Sequence, residues 1–222
     1  MTEALRNAKN LFWEALVISL FIFGCGLLLG YFIEANRVNS VESAYSNAEI
    51  NLLDIQNQMI LFSTNIDCEL AIQKNIEFGD KIYQEALTLE KYDDSSQLSD
   101  GLIAQQKKFS TLRVLFFLNS INIRDKCPNS FDVLTYFYKY HSSSVSEKTA
   151  QTVFSNKLID LKQKYGNKII LIPISSDLSI DSVDILMKNY KINGTGVLVN
   201  KNAVISSVDD LVNIEQFLNI TN

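Results

Sequence analysis

Hydrophobic and polar positions along the chain fall into three regimes. The first is an uninterrupted apolar run, residues 15–33 (ALVISLFIFGCGLLLGYFI), without formal charge and bounded by Glu14 and Glu34. A helix rises about 1.5 Å per residue, so about 20 residues cross a hydrocarbon core of about 30 Å, and the run predicts a transmembrane helix. Two other readings compete. A buried helix of a soluble protein would ordinarily carry a polar stripe, and a cleaved signal peptide has an apolar core of about 7–15 residues closed by an A-x-A site. The run has neither stripe nor site.

The second regime, residues 34–127, contains no proline and only Gly79 and Gly101. Val38, Val41, Tyr45, Ala48, Leu52, Ile55, Met59 and Phe62 recur at steps of three and four, the mark of one helix face. This stripe predicts either an intramolecular core or a coiled coil between two chains. A second helix is expected from about Asp67, with Ile72, Ile76, Ile82, Ala86 and Leu89 on its apolar side. The polar cluster KYDDSSQLSDG reads as a turn. A third helix follows from near Ser99, a candidate cap, with Leu102, Phe109, Leu112, Phe116 and Ile123 on its buried face. Helices joined by short turns pack antiparallel to hide such stripes, so 34–127 is expected to be an antiparallel helical stalk.

The third regime, residues 128–222, shifts to β-formers. FDVLTYFYKY reads as a strand, and VSEKTAQTVFSNKLIDLKQKYGN as a helix with Val145, Val153, Leu158 and Leu161 toward its buried side, ended by Gly166 or Asn167. KIILIPISSD is a near-continuous apolar strand, which predicts cover on both faces. SIDSVDILMKNYKI is a second helix, capped by Ser179 or Asp181. GVLVN and AVISS are short strands around a hairpin turn at NKNA, and VDDLVNIEQFL is a closing helix. A right-handed crossover makes the first two strands parallel neighbours. The fold class is therefore α/β: a cytoplasmic tail at 1–14, a transmembrane helix at 15–33, the stalk, and a C-terminal sheet domain.

Charge then orients the chain. Arg6, Lys9 and the amino terminus precede the apolar run, while Glu34 and Arg37 cancel after it. The positive-inside rule places the N-terminus in the cytoplasm and the C-terminal domain outside, as a single-pass signal anchor of the cell membrane in contact with lipid through 15–33. A net charge of -5 argues against nucleic acid. The single histidine, His141, argues against a histidine metal site, and no zinc spacing, phosphate-binding glycine loop or G-x-S-x-G elbow is present. No metal and no cofactor are expected. Gly26 and Gly30 form a G-x-x-x-G that suits close helix approach, and with the stripe it raises the expectation of a homodimer. Cys25 reads as a small apolar residue within the span.

The order strand, helix, strand, helix, strand, strand, helix, with a tight hairpin before the last helix, resembles a minimal thioredoxin-like domain over about 129–219. The likeness is carried by VLTYFYKYHSSSVSEKTAQ and NYKINGTGVLVNKNAV. The whole plan is similar to a group of membrane-anchored thioredoxin-like proteins of small-genome archaea, in which a helical stalk joins such a domain. Active members of that superfamily open the first helix with C-x-x-C. Aligned on SEK, those positions fall at Ser143 and Ser146. The family's cis-proline before the third strand is replaced by Gly196 or Thr195. A serine offers no thiolate and forms no disulfide, so the resemblance implies a domain without thiol–disulfide exchange. It also implies that the surface from His141 through Ser142, Ser143, Ser144 and Ser146, with Thr195 and Gly196, binds an extended polypeptide.

The serines themselves have two readings. They crowd a helix N-terminus, where an anion would be favoured, and serines also cap helices and solubilise turns. His141 beside Ser143 suggests a base and a nucleophile, but no third group is evident to orient the histidine, so no catalytic residue is assigned. Cys68, near the start of the second helix, and Cys127, beyond the end of the third, become neighbours if those helices are antiparallel. A structural disulfide is expected, with two reduced thiols or a redox pair as the alternatives. Asn193-Gly-Thr195 and Asn219-Ile-Thr221 are sequons open to glycosylation outside the membrane. Three functions follow in order: a redox-inactive extracytoplasmic binding module with an unidentified protein or peptide partner, an oligomerising structural stalk, and a thiol oxidoreductase working through Cys68 and Cys127.

Overall fold

The computed structural model describes the backbone of residues 2–64, 67–93, 100–127, 130–142 and 144–219. It describes the side chains of residues 13–33, 50–62, 67–84, 103–127, 130–142 and 144–219. The chain divides into two units, Met1–Asn47 and Ala48–Asn222. The described part of the first unit is helical and belongs to α1 (Thr2–Thr64). Within it, Trp13–Ile33 is long and apolar enough to cross a membrane, and none of these side chains is buried. Nothing lies within 4 Å of where a Cβ on Gly26 or Gly30 would stand.

The second unit is built on a four-stranded mixed sheet of β1 (Asp132–Tyr138), β2 (Ile169–Ser175), β3 (Gly196–Val199) and β4 (Ala203–Ile205), in the order β2–β1–β3–β4. β1 and β2 are parallel, with Asp132 opposite Ile169. β3 is antiparallel to β1, with Leu134 opposite Val199, and β4 is antiparallel to β3. The parallel pair follows from the chain between its strands: α4 (Val145–Tyr165) crosses from the end of β1 to the start of β2. The β3–β4 pair follows from its turn, where Asn200 and Lys201 both adopt positive φ (50° and 59°), as a tight hairpin requires. Asparagine tolerates that conformation, and its amide makes use of it. Asn200 Oδ1 accepts from Val133 N at 2.7 Å and its Nδ2 donates to Asp132 at 2.7 Å.

Alternation along the strands separates two cores. On one face Leu134 and Tyr136 of β1, Val197 and Val199 of β3 and Ile205 pack with Phe154, Leu158 and Leu161 of α4 and with the C-terminal segment. On the other, Val133, Phe137, Ile170, Ile172, Ile174 and Leu198 meet α5 (Asp181–Tyr190) through Val183 and Leu186. The same core holds α2 (Cys68–Asp93), through Ala71, Phe78 and Ile82, and α3 (Asp100–Lys126), through Leu112, Phe116 and Phe117. Within the segment expected to be a stalk, α2 and α3 thus cover the sheet. Ile55 of α1 is fully buried there, and Leu52 and Phe62 pack against the same core, so this stretch of the stripe faces its own chain. Val38, Val41, Tyr45 and Ala48 lie outside the described side chains, as do Ala86, Leu89 and Leu102. Ser99 lies outside the described residues.

Three features fix α2 against α3. Gly79 admits Phe116, whose ring would stand 3.1 Å from a Cβ at that position, and Phe78 and Phe116 pair at 5.2 Å between centroids. Beside them Asn75 donates to Ser120 at 3.0 Å and accepts from Asn119 at 3.1 Å, a buried polar contact that holds one register. Cys68 and Cys127 form a disulfide with 5.5 Å between Cα atoms, joining the start of α2 to the residue after α3. Lys126 Nζ donates to Phe62 O at 3.1 Å, so the end of α1 meets the same corner.

Four local expectations are corrected. Val145 is 80% exposed and Val153 is also exposed, because Phe154, one position on, points into the core beside Leu158 and Leu161. Neither Ser179 nor Asp181 caps α5: the cap position is Ile180, without a side-chain bond, and Ser179 has φ 52°. The closing helix is broken into α6 (Val208–Leu211), capped by Ser207, and a 3₁₀ turn at Ile214–Phe217. The break lets Leu211, Ile214 and Leu218 all reach the core. The buried side of α2 is centred on Ala71, Asn75, Phe78 and Ile82, with Ile72 and Ile76 at its margin.

Candidate functional site

The carboxyl ends of β1 and β2 and the start of β3 converge at one end of the sheet, because β1 runs parallel to β2 and antiparallel to β3. Most of the singled-out residues sit there. β1 leaves the sheet at Tyr138, turns through Tyr140 and His141, and enters α4 at Val145. Ser144 is the helix cap: it is extended (φ −84°, ψ 125°), and its Oγ accepts from Glu147 N at 3.4 Å. Ser142 is buried, and its Oγ donates to Glu147 Oε2 at 2.7 Å. Glu147 Oε1 pairs with Lys139 Nζ at 2.7 Å. The Lys139 ammonium and then the Ser142 hydroxyl hold the Glu147 carboxyl below its ordinary value, and the carboxylate in turn raises Lys139. The hydroxyls of Ser142 and Ser144 therefore serve Glu147. Ser146 stands exposed in the first turn, and Ser143 lies outside the described residues.

Asp177 organises the turn from the other side. Its carboxylate accepts from Tyr140 N at 2.8 Å, His141 N at 2.7 Å and Ser175 Oγ at 3.0 Å. His141 Nδ1 lies 3.7 Å from the same carboxylate, and the imidazole meets the Tyr140 ring edge-on at 4.7 Å. Asp177 is the group that the sequence did not reveal: it fixes the backbone of the turn and stands beside the imidazole at more than hydrogen-bond distance. Ser142 and Ser144 bond to Glu147, so the geometry holds no relay from histidine to serine. Parallel pairing of β1 with β2 was the available signal, because it brings the residues that follow the two strands side by side.

Gln151 joins the third strand. Its Oε1 accepts from Lys139 N at 2.5 Å and from Thr195 Oγ1 at 3.3 Å, and its Nε2 donates to Lys139 O at 3.3 Å. Thr195 is thereby held against the end of β1. Gly196 begins β3 opposite Phe137, and a Cβ there would stand 3.0 Å from Ile205 O. Close approach of β4 thus explains the glycine. No cis peptide occurs among the described residues.

The structure brings His141, Ser142, Ser144, Ser146, Thr195 and Gly196 to one end of the sheet, and it joins Cys68 and Cys127 at a different place, the start of α2 and the end of α3. Asn193 is exposed two residues before Thr195, and it borders an open depression of about 620 Å³ lined also by Ser176, Asp184, Met187, Lys188, Lys191 and Ile192. Asn219 is exposed, with its backbone N–H donated to Asp132 at 2.7 Å; Thr221 of that sequon lies outside the described residues. Cys127 is fully buried beside its partner Cys68. Among the described residues, no group of three histidine, cysteine or carboxylate side chains is placed to hold a metal ion. No family model, no curated protein and no solved structure matches this chain.

Proposed function

We propose that this chain is a membrane-tethered binding module whose redox-inactive, thioredoxin-like domain faces the extracytoplasmic side. The sheet order and strand directions suit that fold, with α4 and α6 on one face and α5 on the other. The observation that carries the reading is the chemistry of the β1–α4 junction. Where a thioredoxin-like enzyme needs a thiolate at a helix N-terminus, this chain has a cap on Ser144 and a Ser142–Glu147–Lys139 cluster. Beside that cluster Val145 is 80% exposed, and His141 and Ser146 are exposed too. Such a surface suits a polypeptide partner, with the apolar Val145 at its centre and backbone groups of the Thr195 segment along its side. Cys68 and Cys127 belong to the scaffold, because the disulfide ties the start of α2 to the residue after α3, with Cys127 fully buried.

The test is site-specific photocrosslinking from Ser144 in native membranes. A discrete protein adduct that competes with excess unlabelled chain is the expected result. Full-length protein in detergent should also fail to turn over a disulfide substrate such as insulin. Turnover that vanishes in Cys68→Ser would transfer the assignment to the oxidoreductase reading.

A further inference from the structure

The depression beside the site has its own chemistry. Its floor is apolar, made by Met187 and the buried Ile192, and its rim carries Lys188, Lys191, Asn193 and Asp184. Lysines near a helix C-terminus complement the helix dipole, which accounts for their presence in the last turn of α5 and just after it. It does not neutralise them. Among the described residues, neither ammonium has a carboxylate within ion-pair distance, in contrast to Lys139, Lys157, Lys162, Lys164 and Lys201, each of which does. Two unpaired cations and one carboxylate, Asp184, leave the rim net positive on a chain whose total charge is -5.

Two lining residues of the depression adjoin residues of the candidate site along the backbone. Ser176 lines it, donates both its backbone N–H and its hydroxyl to Tyr138 O, and precedes Asp177, which holds His141. Asn193 lines it and precedes, by two residues, Thr195, which is bonded to Gln151. An extended chain covers about 3.3 Å per residue, so a few residues suffice to run from one to the other.

We infer that the partner is an acidic extended segment: an aliphatic side chain sits on Met187 and Ile192, and flanking carboxylates meet Lys188 and Lys191. The inference rests on the binding surface proposed above and names the chemistry of its occupant. Charge complementarity selects the occupant, because the rim offers donors and positive charge around an apolar floor.

The test uses full-length protein in detergent and two fluorescein-labelled peptide sets. One set has leucine flanked by glutamates at every offset from one to four residues, and the other has lysines in place of the glutamates. Fluorescence anisotropy should show at least one acidic peptide binding at least tenfold more tightly than its lysine counterpart, with affinity falling as salt is raised. The double variant Lys188→Glu/Lys191→Glu places substitutions at exposed positions and should invert the preference. Equal binding of both sets by wild type, or an unchanged preference in the variant, overturns the inference. The two readings separate in membranes. A Ser144 crosslink that persists unchanged in the double variant leaves the binding surface standing and removes the acidic partner, whereas loss of the crosslink in wild type removes the surface itself.

Discussion

At the residue scale, polar side chains in buried places decide how much of this fold is specified. Asn200 combines a left-handed backbone with two 2.7 Å bonds, to Val133 N and to Asp132, which also receives Arg124 at 3.4 Å and Asn219 N. Asn200→Ala leaves a buried amide and a buried carboxylate short of partners and should cost about 2–4 kcal/mol in urea unfolding. Arg113 is the opposite case. It is 3% exposed, among the described residues its Nε has no acceptor and its guanidinium no carboxylate, and it stands 5.8 Å from the Phe109 ring centroid. A buried cation without a carboxylate is costly, so Arg113→Met should leave the melting temperature unchanged or raise it. A loss of more than about 1 kcal/mol would mean that the contacts of Arg113, the Phe109 ring among them, outweigh the cost of burying its charge. At the site, Glu147 is depressed by Lys139, so its contribution to stability is present above the ordinary carboxyl range and is lost as pH falls through its lowered value. Lys139 is raised, so its share is complete below its ordinary value of 10.5 and is lost as pH climbs beyond it. In Glu147→Gln, pH-dependent unfolding below pH about 5 should flatten relative to wild type.

At the element scale, periodicity located the helices and strands but did not reveal what they faced. The β-rich third of the chain was readable because strands of three to seven residues alternate with amphipathic segments, and the hairpin was marked by Asn200. Helix orientation was harder. α3 has buried residues on nearly every side, including Gln105, Gln106, Ser110, Arg113, Asn119 and Ser120, so its polar positions do not mark a solvent face. A helix lodged between the sheet, α2 and α5 buries more than the one stripe of Phe109, Leu112, Phe116 and Ile123, and that is why a stalk was expected where the chain makes a second layer on the sheet. The site was legible as a place on the β1–α4 junction. Its wiring was not, because Asp177 and Gln151 act over 36 and 12 residues of sequence. The disulfide was legible from antiparallel helix ends. It closes a separation of 59 residues, for which the chain-entropy model gives about 4 kcal/mol. Cys68→Ser/Cys127→Ser should lower stability by a few kcal/mol of that order while leaving Ser144 crosslinking intact at low temperature.

At the scale of the whole molecule, three features depend on one another: the apolar span, the flanking charge and the disulfide. Trp13–Ile33 can cross a bilayer, Arg6 and Lys9 precede it, and Cys68 and Cys127 are joined on the other side of it in sequence. A disulfide persists in an oxidising compartment and is reduced in the cytosol, so the state of this pair reports the side of the membrane on which the second unit resides. In the proposed topology, thiol blocking of intact membranes before denaturation should leave Cys68 and Cys127 unlabelled until a reductant is added. Arg6→Glu/Lys9→Glu removes the cations that precede the span and leaves Arg37 as the nearer positive charge, which in that topology should turn a fraction of the chains over. That fraction should become alkylated at both cysteines without reductant and lose protease accessibility from the outer face together. If the pair stays oxidised while the protease map inverts, the disulfide does not depend on compartment. If neither changes, flanking charge does not set the orientation of this helix.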